Sequence, residues 1–163
     1  MPTARVSRSW KVTYARSAEV LMTDFAQYDG FKRDFDFYVG PARPDGFRTR
    51  EFGDRLWADV SRLLGVPFDG ASITPGVDGG YKYWFENEDL SASVYSGPLE
   101  GSGVLDQVPA SLNVISRSMD VANSELAERL YAGLTASDDA YLVAVFEDNG
   151  MPIAANFDIG DGW

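Results

Sequence analysis

The spacing of apolar positions predicts one long amphipathic helix. Between residues 50 and 64, apolar side chains recur every three or four positions and form a single helical stripe. The stripe consists of Phe52, Leu56, Trp57, Val60, Leu63 and Leu64. Gly65 follows the last apolar position and Pro67 lies two residues further on, which is typical of a helix end. We therefore expect a helix over residues 50–64.

Two shorter segments have the same periodicity. Ala18, Leu21, Met22 and Phe25 predict a short helix that Ser17 caps. Near the other end of the chain, Leu126, Leu130 and Leu134 predict a helix over about residues 124–134.

Alternation of apolar and polar residues predicts strands elsewhere. It covers residues 10–14, 34–39, 81–86 and 90–95, and the last two are joined by an acidic tip that predicts a hairpin. The segment 110–119 fits two structures. Leu112, Ile115 and Met119 have helical spacing, whereas Leu112 and Val114 alternate with polar neighbours, so a strand is favoured and a helix stays open.

The end of the chain predicts a second hairpin. Residues 141–146 are apolar on both faces, as a central strand requires, and Asp148-Asn149-Gly150 is typical of a type I′ turn. Met151, Ile153, Ala155 and Phe157 are expected to return on one face. Pro152 has no N–H to donate, so this last strand should lie at a sheet edge.

Together these elements predict an α+β fold with a single domain. Its sheet should be mixed but mostly antiparallel, with two or three helices packed on it. Residues 68–80 and 97–109 are rich in Gly and Pro and are expected to be loops. Residues 1–8 are interpreted as a flexible basic arm, which leaves residues 9–163 as the domain.

The composition restricts the possible chemistry. The 163 residues include no histidine and no cysteine, which excludes His- and Cys-based catalysis and the usual zinc sites within this chain. Carboxylate chemistry remains, and Glu86, Glu88 or Asp89 beside Trp84 would be candidates for glycoside hydrolysis. A solvated hairpin tip explains the same residues, so we expect no catalytic residue, no metal site and no cofactor. Asp34 and Asp36 also share one face of a strand, which ordinary alternation explains.

The charge is distributed unevenly. The net charge is -11, but residues 1–65 contain 11 basic and 9 acidic residues, whereas residues 66–163 contain 3 basic and 16 acidic ones. The acidic part repels nucleic acid and membrane surfaces and attracts basic partners. We therefore expect a protein partner that is basic, and no direct binding to nucleic acid or membranes. No apolar run approaches the roughly 18 residues of a membrane span, and no secretory signal is evident, so a cytoplasmic location is expected.

One segment combines the residue types that anchor interfaces. Between positions 78 and 95, aromatic side chains alternate with acidic ones, and such rings with an acidic rim favour binding and steering of a partner. Alternation should bury Tyr81, Tyr83 and Phe85 on one face, so the face with Trp84 is the predicted binding side. The candidate partner-binding residues are Asp78, Trp84, Glu86, Glu88, Asp89 and Tyr95.

In size, acidity, α+β character and lack of a catalytic signature, the chain resembles the immunity proteins that neutralise bacterial polymorphic toxins. The resemblance is one of overall character and involves no particular motif. It implies a tight complex with a cognate toxin or effector domain whose active site is covered by the acidic region 66–163. The alternatives are a phage-encoded inhibitor or nucleic-acid mimic, and a carboxylate-dependent hydrolase such as a glycoside hydrolase.

Overall fold

The computed structural model describes Phe25 and residues 34–101, 103, 105–137, 139–147 and 150–160. In chain order these residues form β1 (Phe35–Pro41), α1 (Thr49–Leu64), β2 (Ser72–Pro75), β3 (Tyr81–Glu86), β4 (Leu90–Ser96), β5 (Ala110–Ser116), α2 (Asn123–Leu134), β6 (Tyr141–Glu147) and β7 (Pro152–Ala155). Single 3₁₀ turns cover Phe68–Gly70 and Leu105–Gln107. The predicted arm 1–8, the strand 10–14, the helix 18–25 except Phe25, and the first two turn residues at 148–149 lie outside the described residues.

All seven strands form one sheet in the order β2-β3-β4-β5-β1-β6-β7. Every pairing among them is antiparallel, so the part of the sheet that is described contains no parallel pair. With two helices packed on the sheet, the predicted single α+β domain is confirmed. The segment 110–116 is a strand, as favoured, and is the central strand of the sheet. Neither helix in the described part of the chain is long and apolar enough to cross a bilayer.

Both helices cover the same face of the sheet. The stripe predicted for α1 is buried except for Leu63, which is half-buried and packs toward α2. A Cβ atom on Gly133 of α2 would lie 2.3 Å from a methyl group of Leu63, so a side chain at this position would require Leu63 to move. Gly65 ends α1 in the left-handed conformation with φ of 71°. The largest fully buried side chains of the resulting core include Trp57, Tyr83, Tyr131, Phe25, Phe35 and Phe37.

Two hydrogen bonds from tyrosines of the sheet anchor α1, and a third joins α1 to the 3₁₀ turn that follows it. Trp57 Nε1 donates to the carbonyl of Phe68 at 2.8 Å, the Tyr83 hydroxyl donates to Asp54 at 2.7 Å, and the Tyr141 hydroxyl donates to Asp59 at 2.5 Å. Burial, followed by the hydrogen bond to the carboxylate, raises the pKa of both tyrosine hydroxyls above its ordinary value. Both phenols therefore stay protonated donors at neutral pH.

Two expectations about local structure are wrong. Residues 68–80 were expected to be a loop but contain β2, whose four residues are all exposed and so leave no periodic burial in the sequence. Met151, Ile153, Ala155 and Phe157 were predicted to return on one face, and this prediction is wrong. The register between β6 and β7 shifts at Val145/Phe146, so these four side chains do not share a face. Ile153 and the adjacent Ala154 both join the main core, whereas Met151 is exposed. The prediction that this strand lies at a sheet edge is confirmed.

Candidate binding surface

The described residues leave the side of the sheet opposite the helices uncovered over β2 to β5 and the first half of β1. We call this surface the open face. Alternation along β3 buries Tyr83 and Phe85 beneath the helices and leaves Lys82, Trp84 and Glu86 on the open face. The strand registers place the following side chains on the same side: Ser72, Thr74, Lys82, Trp84, Glu86, Ser91, Ser93, Tyr95, Ser111, Asn113, Ile115, Asp36 and Tyr38.

Beyond Tyr38 the same side of the sheet is covered. A second apolar cluster lies over β6 and β7 and consists of Val108, Ala144, Phe146, Ala155 and Phe157, with Tyr38, Leu142 and Ile159 packed against it. Val108 comes from the segment between β4 and β5, which crosses directly over Gly40 of β1. A Cβ atom at Gly40 would lie 1.8 Å from the carbonyl oxygen of Gln107. The open face is therefore bounded along β1 by packed structure and along β2 by the sheet edge.

A depression of about 270 Å³ lies in the middle of the open face. Polar side chains from four strands line it: Asp36, Tyr38, Lys82, Ser93, Tyr95, Ser111 and Asn113. These side chains form two rows across the sheet. One row is Lys82, Tyr95, Ser111 and Tyr38, and the other is Ser93, Asn113 and Asp36. Asn113 Nδ2 donates to the Asp36 carboxylate at 3.3 Å. The lining of this depression is mixed, since Val94 and Leu112 contribute to it beside these polar side chains.

Trp84 occupies the middle of the β3 part of the open face. Its side chain is 42% exposed, which is high for so large an apolar group. The Lys82 ammonium lies 5.4 Å from the centre of the indole ring, within the range of a cation–π contact. The predicted binding side of β3 is thus the side that the structure leaves exposed.

At one end of β3, Asp78 and Tyr95 form a pair. The Tyr95 hydroxyl donates a short hydrogen bond to the Asp78 carboxylate, which also accepts the N–H of Gly80 at 3.0 Å. The bond from Tyr95, followed by that from Gly80, lowers the pKa of Asp78 below its ordinary value. The same bond, followed by desolvation, raises the pKa of Tyr95 to about 12. This carboxylate is therefore ionised and held in place at neutral pH.

The other predicted acids lie at the opposite end of β3. Glu86 forms an ion pair with Arg117, which follows β5. Glu88 and Asp89 are exposed at the tip of the β3–β4 hairpin, where Asn87 Oδ1 accepts the N–H groups of Asp89 and Leu90 at 2.8 and 2.9 Å. Since Lys82 and Glu86 are four residues apart in a strand, about 13 Å separates the two ends. The six predicted residues thus form two acidic ends with Trp84 between them.

Of the residues of β4, β5 and β1 on this surface, the sequence named only Tyr95 as a binding residue. Ser93 joins it through the β3–β4 hairpin, Ser111 and Asn113 through the pairing of β5 with β4, and Tyr38 through the pairing of β1 with β5. No local pattern encodes the last two pairings. Asp36 provides the only carboxylate among the described residues that line the depression. Within the described residues, no three acidic side chains are grouped so that they could hold a metal ion.

The fold and the surface define an α+β protein with an antiparallel sheet that is covered by helices on one face and partly open on the other. The chain matches no protein-family model, no curated protein and no solved structure.

Proposed function

We propose that this is a non-catalytic binding protein that uses the open face and its two acidic ends to neutralise a basic protein partner. In its most specific form, it is an immunity protein that covers the active site of a cognate toxin. The observation that carries the proposal is the open face itself, where an exposed Trp84 lies between two acidic ends. Exposed aromatic anchors surrounded by charge are the usual composition of an energetically important interface centre.

The size of the open face supports this function. Five strands about 4.8 Å apart, with six residues of about 3.3 Å each, give a surface of about 24 Å by 20 Å. This projected area of about 480 Å², extended by the acidic hairpin tip and the Asp78 turn, is of the same order as the roughly 800 Å² that each partner contributes to a specific complex.

The charge of the open side supports a basic partner. On and around the open face the acidic residues Asp36, Asp78, Glu86, Glu88 and Asp89 outnumber the basic residues Lys82 and Arg117. Lys82 lies over Trp84, and Arg117 is paired with Glu86, so local contacts engage both cations. Acidic groups at the two ends of the surface would attract a positively charged active site and orient it on the rings between them.

The proposal predicts that a toxin domain is encoded beside this gene, and co-expression of the two proteins tests it. The toxin alone should arrest growth of the host cell, and the wild-type chain should restore growth. Purified proteins should associate at a rate that falls steeply as salt increases, because long-range attraction is screened. If the chain does not restore growth and does not bind the toxin domain, the proposal is wrong.

A charge-reversal variant locates the interface. Glu86→Lys, Glu88→Lys and Asp89→Lys together should slow association and abolish protection. The matched control is Asp45→Lys, Glu125→Lys and Glu128→Lys, which changes the net charge equally at exposed positions away from the open face. Equal effects of the two triple variants would show that net charge alone matters and would remove the hairpin from the interface.

A further inference from the structure

The outer edge of β2 has the features of a docking site for another strand. In the described part of the chain, β2 pairs with β3 only, and all four of its residues are exposed. An edge strand presents unpaired N–H and C=O groups onto which a further strand can add.

The pairing with β3 shows which backbone groups point outward. The N–H of Gly76 donates to the carbonyl of Gly80 at 2.7 Å, in the same register that places Thr74 opposite Lys82. Alternation in an antiparallel ladder then directs the backbone groups of Ser72 and Thr74 toward β3 and those of Ile73 outward. Pro75 also points outward, where its lack of an N–H costs no bond to β3. The outer edge thus offers the N–H and C=O of Ile73 and the C=O of Pro75.

The two edges of the sheet differ in their protection. At the β7 edge, a register shift interrupts the ladder, Pro152 begins the strand, and Ala154 and Ala155 are buried. These are common devices that prevent strand addition. β2 has a continuous register with β3 and no charged residue in the strand. β2 also ends in a proline, Pro75, but its register is continuous and its side chains are exposed, so its edge is the more accessible of the two.

Exposed apolar side chains lie in β2 and close to it. Those with large exposed fractions are Phe68, Ile73, Val77 and Trp84. Trp84 is directly opposite Ser72 and lies on the open face. An added strand would cover part of this apolar surface as well as pair with the backbone.

Charge decides against a second copy of this chain as the added strand. Asp69 precedes β2 and Asp78 follows it, and both are exposed. Antiparallel self-pairing would bring Asp69 of one copy to the same end as Asp78 of the other, and parallel pairing would bring identical acids together. Either arrangement places like charges side by side, in a chain whose net charge is -11. A strand with basic residues toward its ends meets opposite charge instead.

We propose that β2 binds, by strand addition, an extended segment of a protein partner with apolar side chains in its middle and Lys or Arg toward its ends. This proposal rests on the proposed function, because strand addition requires a protein partner. The added segment would lie one strand away from Trp84, across Ser72 of β2, so edge and open face would adjoin in one interface.

The experiment uses a phage-displayed library of random linear peptides selected on the full chain. Selected sequences should combine β-branched or aromatic residues with flanking Lys or Arg, and synthetic versions should bind in solution. Ile73→Pro removes the outward N–H at a position where no bond to β3 is lost, and should weaken binding roughly tenfold or more. Ile73→Ala keeps the N–H and is the matched control, with a smaller loss. Circular dichroism and the urea midpoint check that both variants fold.

Hydrogen exchange gives a readout that needs no variant. The Ile73 amide should exchange quickly in the isolated wild-type chain and become protected when the selected peptide is bound. Protection already present in the isolated chain would show that another part of the chain or a second copy fills the edge, and would overturn the proposal. If the wild-type chain is a dimer and Ile73→Pro is a monomer, a second copy fills the edge, and the proposal is also overturned.

Two further outcomes would also overturn strand addition. One is a selection that yields no linear peptide, and the other is equal peptide affinity for wild type and Ile73→Pro. The co-expression experiment separates this result from the proposed function. If Ile73→Pro protects cells from the toxin as well as wild type does, the neutralising function stands and strand addition at β2 is wrong.

Discussion

The two faces of the sheet are built from the same strands but differ in what surrounds them. In β3, the side chain of Tyr83 is fully buried beneath α1, whereas that of the next residue, Trp84, is 42% exposed. The helix-covered face buries large apolar side chains and satisfies the polar atoms that accompany them. The open face has Ser, Asn, Lys and Asp around a few rings. The difference indicates that stability depends mainly on one face, which leaves the residues of the other free to serve binding.

Substitution of one tryptophan on each face tests this difference most strongly. Trp57→Ala should lower the free energy of unfolding by about 3–5 kcal/mol, because it empties a fully buried site and leaves the carbonyl of Phe68 without its donor. Trp84→Ala should change it by less than about 0.5 kcal/mol. Urea denaturation followed by circular dichroism measures both values. Similar losses for the two variants would mean that the open face also contributes to the core.

Gly40 of β1 lies where the segment that carries Val108 begins to cover the side of the sheet opposite the helices. Gly40→Ala should lower the free energy of unfolding by about 1–3 kcal/mol, because the new methyl group collides with the Gln107 carbonyl and displaces the segment that carries Val108. Ser111→Ala, on the uncovered part, is the control and should have an effect within about 0.5 kcal/mol. Thermal and urea denaturation compare the two. A stable Gly40→Ala variant would show that residues 105–108 do not pack over β1.

The smallest expected effect concerns the bond between Tyr95 and Asp78 on the open side. Its contribution to stability is complete above the ordinary aspartate pKa of about 4 and is lost as the pH falls through the lowered pKa of Asp78. At high pH it is complete below the ordinary tyrosine pKa of about 10 and is lost as the pH rises through about 12. The stability difference between wild type and Tyr95→Phe should therefore be constant between these limits and shrink outside them.

NMR titration of the Asp78 carboxyl carbon provides the direct measurement for this pair. The pKa of Asp78 should rise toward its ordinary value in Tyr95→Phe, because the first of its hydrogen bonds is removed. Asp54, which accepts from Tyr83 on the covered face, is the internal reference, and its carboxyl chemical shift at neutral pH should be the same in both proteins. An unchanged titration of Asp78 would contradict the hydrogen bond.

Much of the fold could be predicted because burial on one face leaves a periodic signal. The stripe of α1 and the alternation of β3 and β4 reflect core positions, so these elements are found within one or two residues of their predicted bounds. β2 has no buried residue and exists through its pairing with β3, so nothing local could reveal it. The bulge at Ile153 was missed for a related reason. Ile153 and the adjacent Ala154 are both buried, so the sequence there shows no alternation.

The candidate surface was predicted in part. The sequence identified Trp84 and the acids around it, because alternation shows which side of β3 faces away from the core. It grouped Asp78 and Tyr95 with Glu86, Glu88 and Asp89, and the structure separates them to the two ends of the strand. The depression between them could not be foreseen, since Tyr38 and Asn113 are 75 positions apart in the chain and share a face only through the register of β1 with β5.

The sequence by itself determined the α+β class, the long helix α1, most strands, the absence of histidine and cysteine chemistry, and the concentration of acid in residues 66–163. These features are local or compositional, and local periodicity and charge are readable without knowing which elements meet. Tertiary structure decided that both helices lie on one face, that Val108 and Phe157 close part of the other, and that β2 forms an accessible edge. Such facts depend on strand order and register, which pairings between distant segments establish and no single segment encodes.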